Sequence, residues 1–399
     1  MKILFVSDSY FPHLNGVYYF VCRLGPLLKE KGHDVAVVAP SASFHFTISK
    51  IDGLDVYGLP SLPLPWYPTL RQVFPYFLRS RINQIIKEFN PDIVHIQDHF
   101  LISKVVVRMN RHLRIPLIGT NHFIPINITA FIHGKILKRI MGGYLWKSFC
   151  NVYNQVPLVT TPTETAADFI RPRLRTRIIA VSSGIDLERF KPGDGVKEIM
   201  VKYGIPDKPV LLYAGRIDPE KHIEEIIRSV ARAVNIIDFQ FVVVGRGVSK
   251  PDLEKFAQQL GIEDRVIFTG FVPEEDLPYF YKLSRCFIIA SIAELLSLVT
   301  LQAMASGLPV IAVNEGALGE LVKDRENGYL YEQGDLTAIV NAISDIFSSD
   351  ESYTRMSRKS LEFVREHDIN KTLETFERLY QECISLYPLA DNSPLLGTS

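Results

Sequence analysis

Short apolar runs alternate along the chain with longer amphipathic stretches. An apolar run over residues 2–7 predicts a buried strand, and the helical spacing that follows continues to Lys31 and stops at Gly32. Further strands are predicted in the first half at 35–39, 93–96, 117–119 and 159–161. Strands that alternate with helices of about 10–15 residues predict parallel sheets built from right-handed βαβ units.

The same pattern starts again after Pro206, with a predicted helix from about Glu220 to Val234. The predicted strands of this second half lie at 210–214, 239–244, 266–269, 287–290 and 310–313. A chain of 399 residues also exceeds the length at which one core usually stops growing. Together these features predict an α/β protein with two doubly wound, Rossmann-like domains.

Prolines and glycines cluster where the two halves join, at Pro192, Gly193, Gly204 and Pro206. We therefore place an N-terminal domain at 1–190 and a C-terminal domain at 191–369. A helix at about 370–386 is expected to pack back on the first domain, and the polar tail at 388–399 is expected to be disordered.

The composition is typical of a soluble globular protein, with 47% apolar and 22% charged residues. The four cysteines are scattered and form no CxxC pair, which favours a reducing compartment and gives no zinc pattern. The first apolar run is too short for a signal peptide, and no uncharged apolar stretch reaches about 18 residues. We expect a cytoplasmic protein without a membrane-spanning helix.

The charge is strongly asymmetric although the net charge is zero. Residues 1–192 carry 23 Lys and Arg against 12 Asp and Glu, whereas residues 193–399 carry 21 against 32. No acidic residue lies between Asp98 and Glu164, a region with eight Lys and Arg. A basic half favours an anionic partner, such as a membrane surface or a polyanion. A solubilising face, or a dipole that helps the two halves associate, explains the asymmetry equally well.

The clearest candidate chemistry follows predicted strands of the second half. Gly215 and Arg216 come directly after a strand, and Lys221 lies at the start of the next helix. Glu294 follows another strand, before a helix that begins near Ser297. Two cations and a helix N-terminus suit a diphosphate, and a carboxylate beside them suits a sugar. Ligands of doubly wound sheets bind beyond these strand ends.

These motifs together resemble the retaining glycosyltransferases of family 4, which have the GT-B fold of two Rossmann-like domains facing across a cleft. The resemblance covers Lys2 to about Glu382. It rests on the Asn15-Gly16 loop, the Thr120-Asn121-His122 turn, Ser183-Gly184-Ile185-Asp186, Gly215-Arg216 with Lys221, and the spacing of Glu294 and Gln302.

The resemblance implies a nucleotide diphosphate sugar as donor substrate, no cofactor, and no metal. By this resemblance Arg216 and Lys221 hold the diphosphate, Glu294 contacts the sugar hydroxyls, and His122 reaches the sugar near its reacting carbon. The same comparison assigns donor contacts to Gly16, Gly215, Val272, Ser297 and Leu298. Taken singly, Arg216 and Lys221 could be exposed cations, Glu294 a helix cap and His122 a structural histidine.

Gln302 departs from the family pattern, which has a second glutamate there that accepts hydrogen bonds from the ribose. An amide oxygen can still accept, but without charge assistance, which costs about 1 kcal/mol. We therefore expect weaker donor binding with activity retained. Leu295-Leu296-Ser297 also replaces the commoner Ser-Phe-Gly, so the phosphate pocket is expected to be slightly narrower.

Two basic stretches of the first half, 64–86 and 132–147, mix aromatic and aliphatic residues with Lys and Arg. Such a mixture is typical of helices that lie in a lipid interface, although a core-facing stripe with a basic outer face is the commoner explanation for a single helix. Thr120-Asn121-His122-Phe123 also resembles the branch that glycosylates diacylglycerol. We expect glucose or mannose transfer to a membrane lipid by a peripheral protein at the inner membrane face.

Other functions remain open from the sequence. The acceptor could instead be a soluble metabolite or polysaccharide, and Gln302 raises the possibility of a non-catalytic donor-binding subunit. Gly245-Arg246-Gly247 lacks a third glycine, so it fails as a dinucleotide fingerprint and is expected to be a turn beside the donor. His95 and His99 are considered as cleft-lining residues. No nucleic-acid partner is expected.

Overall fold

The computed structural model describes residues 1–13, 15–64, 67–123, 134–292 and 294–387, with only the main chain at 67–69 and 135–138. The tail predicted from 388 onward lies outside these residues. The chain divides into two compact units. The first contains Met1–Pro162, Ala167–Val181 and the segment from Leu373 onward, and the second contains Thr163–Ala166 and Ser182–Thr372.

The described strands follow the predicted apolar runs and add several that the pattern did not predict. The strands are β1 (Lys2–Val6), β2 (Asp34–Pro40), β3 (Thr47–Ile51), β4 (Leu54–Leu59), β5 (Ser61–Leu64), β6 (Tyr67–Val73), β7 (Ile93–Ile96), β8 (Leu117–Thr120), β9 (Leu158–Thr161), β10 (Arg177–Ala180), β11 (Val210–Ala214), β12 (Gln240–Val244), β13 (Val266–Gly270), β14 (Cys286–Ile289), β15 (Val310–Val313) and β16 (Gly328–Tyr331).

The helices connect these strands. They are α1 (Gly16–Glu30), α2 (Leu78–Phe89), α3 (Leu101–Leu113), α4 (Lys135–Tyr153), α5 (Glu164–Ile170), α6 (Lys197–Tyr203), α7 (Ile223–Ala233), α8 (Lys250–Gln259), α9 (Leu277–Lys282), α10 (Leu298–Ala305), α11 (Leu318–Leu321), α12 (Leu336–Ser348), α13 (Asp350–Phe363) and α14 (Ile369–Leu386).

The first unit is built on a sheet with strand order β10-β9-β8-β7-β1-β2-β4-β3. Its described neighbours pair in parallel apart from β3, which runs antiparallel to β4. Successive residues of β1 face opposite sides, as the period of a strand requires. Leu4 packs with α2, α3 and α4, whereas Phe5 packs with α1 and α14. Helices therefore cover both faces, and a separate β5–β6 hairpin lies outside this sheet.

The second unit has strand order β13-β12-β11-β14-β15-β16, and all of these described neighbours are parallel. Strand β11 is buried along its whole length, as expected for a central strand covered on both faces. The strand order turns at β11, because β12 and β13 lie on one side of it and β14 to β16 on the other. Ligands of doubly wound sheets bind at such a reversal, beyond the carboxyl ends of the strands. Both units are thus Rossmann-like.

Candidate functional site

The turn after β11 begins the candidate donor site of the second unit. Gly215 has φ +147°, a conformation that side chains with a Cβ rarely adopt. The buried Tyr213 hydroxyl donates to the carbonyl oxygen of Arg216 at 2.7 Å. Burial and the nearby Glu294 carboxylate raise the pKa of Tyr213 well above its ordinary value, so this hydroxyl stays a donor. This hydrogen bond therefore holds the turn that carries Arg216 in place.

The neighbouring turn after β12 lies directly against this one. A Cβ on Gly245 would be 1.8 Å from the carbonyl oxygen of Gly215, and a Cβ on Gly247 would be 2.1 Å from that of Ile217. Both glycines are thus required by backbone packing rather than by a dinucleotide. Between them, the Arg246 guanidinium lies 4.7 Å from the ring centroid of the exposed Phe271.

Arg216 is paired with two carboxylates. Its Nη1 contacts Asp218, and its Nη2 lies 2.8 Å from Oε1 of Glu220. The guanidinium side chain is 57% exposed, so water screens both pairs and each contributes little to stability. A diphosphate that binds Arg216 must compete with Asp218 and Glu220.

Lys221 and Glu294 form a second and less exposed pair. Lys221 Nζ lies 2.6 Å from Glu294 Oε1 and 3.1 Å from Ser291 Oγ, and the two charged side chains are 15% and 18% exposed. An ammonium group has three N–H donors and a carboxylate has two oxygens. The pair therefore leaves one N–H of Lys221 for a phosphate oxygen and Oε2 of Glu294 for a sugar hydroxyl. The structure thus brings these two predicted site residues into contact.

Helix α10 begins beside Glu294. Ser297 is its N-cap and accepts hydrogen bonds from the backbone N–H and the hydroxyl of Thr300, so its buried side chain is committed to the cap. In the described part of the chain, no backbone or side-chain acceptor is recorded for the N–H groups of Leu298 and Val299. These first-turn amides are the groups that could bind an anion.

Gln302 lies one turn further along α10 and contacts a buried tyrosine. The Tyr281 hydroxyl donates to Gln302 Oε1 at 2.7 Å. Tyr281 is fully buried, and burial raises its pKa well above the ordinary value, so the phenol stays protonated and needs an acceptor. The Tyr281 hydroxyl therefore uses one of the two acceptor positions of the amide oxygen, and the partly exposed Gln302 also carries two Nε2 N–H donors that a ligand could meet.

Two other predicted donor residues differ in their surroundings. The Val272 side chain is buried in the core of the second unit, so its main chain is the part left to face a ligand. Gly16 opens α1 in the first unit, where Asn15 accepts from the N–H of Tyr18 at 3.1 Å. A Cβ on Gly16 would meet no described atom within 4 Å, which leaves open space beside this loop.

His122 lies just beyond β8 in the first unit. Its Nε2 is 2.9 Å from Oε1 of Gln97, and the amide oxygen can only accept, so Nε2 carries the proton. Burial lowers the pKa of His122 to about 3, and the ring is therefore neutral near pH 7. Its Nδ1 can accept a hydrogen bond from a hydroxyl.

His95 and His99, which were considered as cleft-lining residues, are both fully buried. His95 bonds to the Tyr380 hydroxyl at 2.8 Å and to Thr120 Oγ1 at 2.6 Å, which is a structural role. His99 lies among aromatic rings that include Phe149, and within the described residues neither of its nitrogens has a partner. Burial lowers the pKa of His99 to about 3.

The basic stretch at 64–86 is not one interfacial helix, because it contains the last residue of β5 and all of β6 before α2 begins. Its Pro65 and Trp66 lie outside the described residues. In the second stretch Ile132 also lies outside them, while α4 exposes Ile140 and Tyr144 and buries Leu145. Among the described helices, none combines the length and apolar character needed to cross a bilayer. The described residues also contain no group of three or more potential metal ligands.

Several residues of the site were missed at the level of sequence. The Arg216–Glu220 pair has the i, i+4 spacing of neighbours on a helix, which is a usable signal. Tyr281 and Gln97 carry no comparable signal, because they meet their partners only through packing between different elements of the chain.

Two family models together match most of the chain. The model for Glycosyltransferase Family 4 matches residues 14–189, and that for glycosyl transferases group 1 matches residues 196–363. The alpha-monoglucosyldiacylglycerol synthase of Streptococcus pneumoniae is 30% identical over 342 residues, which cover 83% of this chain and 75% of the relative.

A GDP-mannose-dependent alpha-mannosyltransferase of Corynebacterium glutamicum is 26% identical over 398 residues, covering 99% of this chain and 91% of the relative. Among solved structures, HepE of Anabaena in complex with UDP superposes with a TM-score of 0.77 at 18% identity, covering 96% of this chain and all of that one. At this identity the likeness shows the fold alone.

Proposed function

The chain belongs to the family 4, group 1 glycosyltransferases, and on that basis we propose that it transfers glucose or mannose from a nucleotide diphosphate sugar to a hydroxyl of a membrane lipid such as diacylglycerol. The donor is a UDP- or GDP-sugar, and the sugar keeps its anomeric configuration. The observation that carries the proposal is the Lys221–Glu294 pair beside Arg216 and the α10 N-terminus at the sheet reversal of the second unit.

In the proposed reaction the bond between the anomeric carbon and the diphosphate oxygen breaks, and a bond to the acceptor oxygen forms. Arg216, the free N–H of Lys221 and the first amides of α10 stabilise the charge that develops on the leaving diphosphate. Glu294 Oε2 orients a sugar hydroxyl. The acceptor proton passes to a phosphate oxygen of the leaving group, so atoms and charge balance without a protein nucleophile.

We assign His122 the role of accepting a hydrogen bond from the sugar through Nδ1. This assignment uses the tautomer that Gln97 imposes and the low pKa that keeps the ring neutral. Gly16, Gly215 and the main chain at Val272 are proposed to let the donor approach the backbone closely. The Arg246–Phe271 stack is proposed to lie against the base.

The lipid acceptor is supported by the relative from Streptococcus pneumoniae, whose name records diacylglycerol chemistry, and by the basic first half of the chain. An anionic membrane surface attracts such a half. A relative is named as GDP-mannose-dependent, so we keep GDP beside UDP as the proposed nucleotide of the donor.

The test is nucleotide release from UDP-glucose and GDP-mannose, each with and without diacylglycerol in anionic vesicles. We expect release that depends on lipid, together with a glycosylated lipid detected by mass spectrometry and an unchanged anomeric configuration by NMR. Lys221→Met is the control that should abolish release. Release without diacylglycerol would show hydrolysis of the donor, in which water takes the sugar, and would count against diacylglycerol as the required acceptor. Binding of UDP or GDP without release from any donor would favour a non-catalytic subunit.

A further inference from the structure

The N-terminus of α2 presents two aromatic side chains to solvent. Tyr76 is 80% and Phe77 is 86% exposed. Phe77 is the N-cap of α2 with φ +58° and ψ 3°, a left-handed conformation that is sterically unfavourable for a residue with a Cβ. The exposed side chain of Phe77 gains no burial against the described residues that would offset its unfavourable backbone conformation. An apolar side chain held outward in this way indicates an external partner.

Phe77 also borders a groove between α2 and α3 with a volume of about 490 Å³. Met109 and Leu113 form apolar parts of its lining, and Arg79 and His112 add polar groups. The groove therefore combines an apolar floor with a cationic edge. This combination fits an acyl chain next to an anionic headgroup.

The charged residues of α2 and α3 are basic apart from Glu88. Arg79, Arg108 and Arg114 are exposed, and no ion pair involves them in the described part of the chain. Helix α4 contacts α3 on the same face of the sheet and exposes Ile140 and Tyr144, with Lys104 Nζ 5.9 Å from the Tyr144 ring. Exposed apolar side chains interspersed with unpaired cations are complementary to an anionic bilayer.

We propose that Tyr76, Phe77, Arg79 and the α2–α3 groove form the surface by which this protein docks on an anionic bilayer. We call this set the aromatic–basic surface. Tyr76 and Phe77 lie in the lipid interface, and the arginines contact the headgroups. The proposal rests on the lipid acceptor of the proposed function, and it identifies the residues that bring the enzyme to that acceptor.

The test is cosedimentation with vesicles of phosphatidylglycerol and, separately, of phosphatidylcholine. The key variant is Phe77→Gly, which removes the aromatic side chain at a position where glycine is conformationally favoured. We expect it to weaken binding to phosphatidylglycerol about tenfold or more, as for loss of one buried aromatic side chain. Its thermal midpoint should be unchanged or higher, so a folding defect is excluded.

Val201→Ser is the matched control, because Val201 is 84% exposed but lies in the acidic second half. It should bind phosphatidylglycerol like the unaltered protein. Arg79→Gln should reduce the loss of binding on addition of salt, since one headgroup contact is removed.

Unchanged vesicle binding by Phe77→Gly would overturn the proposal, as would equal binding of the unaltered protein to both lipids. Sedimentation velocity without lipid gives a further check, because a change of oligomeric state in Phe77→Gly would assign the surface to a second copy of the chain. UDP binding by calorimetry separates the two proposals. Phe77→Gly should bind UDP normally, and loss of vesicle binding with UDP binding intact leaves the donor site of the proposed function standing.

Discussion

Replacing Gln302 by glutamate should reverse the direction of a hydrogen bond to the donor nucleotide. In the unaltered protein the Tyr281 hydroxyl donates to the amide oxygen of Gln302, and we infer that the ligand meets the amide N–H groups. In Gln302→Glu, Tyr281 can donate to one carboxylate oxygen and the other oxygen can accept from a ribose hydroxyl. The same hydroxyl must therefore accept in one protein and donate in the other.

The expected magnitude follows from the charge on the new acceptor. A neutral hydrogen bond contributes about 0.5–1.5 kcal/mol and one to a charged group about 1.5–3 kcal/mol. The difference of about 1–1.5 kcal/mol corresponds to UDP binding that is about 5- to 12-fold tighter in Gln302→Glu.

The assay is calorimetry with UDP and with its 2′- and 3′-O-methyl and deoxy analogues. An O-methyl group keeps the accepting oxygen but removes the proton that a hydroxyl donates. Methylation of the hydroxyl that meets residue 302 should therefore cost Gln302→Glu about fivefold more affinity than it costs the unaltered protein. Steric effects of the methyl group are shared by both proteins, so the comparison isolates the hydrogen bond.

Gln302→Leu is the matched control, because leucine can neither donate nor accept. In this variant the deoxy analogues should bind about as well as UDP. Its thermal midpoint is needed as well, since the buried Tyr281 loses its acceptor. Equal O-methyl penalties in the unaltered protein and in Gln302→Glu would refute the inferred direction of the bond. Identical UDP affinity in all three proteins would remove Gln302 from the donor site.

Three further substitutions test the charges of the donor site and the buried histidine. Glu220→Gln removes one competitor for the Arg216 guanidinium, so UDP should bind up to about fivefold tighter at low salt. An unchanged affinity for UDP would show that the Arg216–Glu220 pair does not face the ligand. Lys221→Met removes a charged phosphate contact and should weaken UDP binding about 12- to 140-fold by calorimetry, while an unchanged affinity would place the diphosphate elsewhere. His99→Phe removes two buried nitrogens that have no partner among the residues the structure describes, and it should raise the free energy of unfolding by about 1–3 kcal/mol at pH 7.5 in urea. Because burial lowers the pKa of His99 below the ordinary value near 6.5, its neutral form stabilises the fold above that pH, and stability is lost as the pH falls below it. Below pH 6.5 the free energy of unfolding of His99→Phe should therefore fall by about 1.4 kcal/mol less per pH unit than that of the unaltered protein. Equal slopes of this free energy against pH would contradict the account.

The fully buried strands could be predicted from the sequence, because each is a short, continuous apolar run between longer amphipathic stretches. Strand β3 could not, since its pattern is largely exposed and Ile48 is 65% exposed. This strand exists through antiparallel pairing with β4, and pairing of an edge strand leaves little trace in hydrophobic periodicity. The β5–β6 hairpin was mistaken for part of an amphipathic helix for the same reason.

The site was predictable as a set of positions but not as a set of contacts. Arg216, Lys221 and Glu294 follow strands, and the carboxyl ends of neighbouring parallel strands bring such residues together. The orientation of the Gln302 amide depends on the buried Tyr281, which lies 21 residues earlier and on another helix. Side-chain hydrogen bonds of this kind are decided by packing, so a motif can identify the residue without identifying which of its groups faces the ligand.

The donor site and the aromatic–basic surface use electrostatics in opposite ways. At the donor site Arg216 and Lys221 are matched by Asp218, Glu220 and Glu294, so two cations face three carboxylates. A diphosphate gains little there from net charge and must be held by directed N–H groups. Arg79, Arg108 and Arg114, which have no ion-pair partner among the described residues, are instead proposed to act through their summed charge, which salt screens. Raising the salt concentration should therefore release the protein from anionic vesicles well before it weakens UDP binding. Parallel loss of both would show that long-range attraction, rather than directed hydrogen bonding, governs donor recognition.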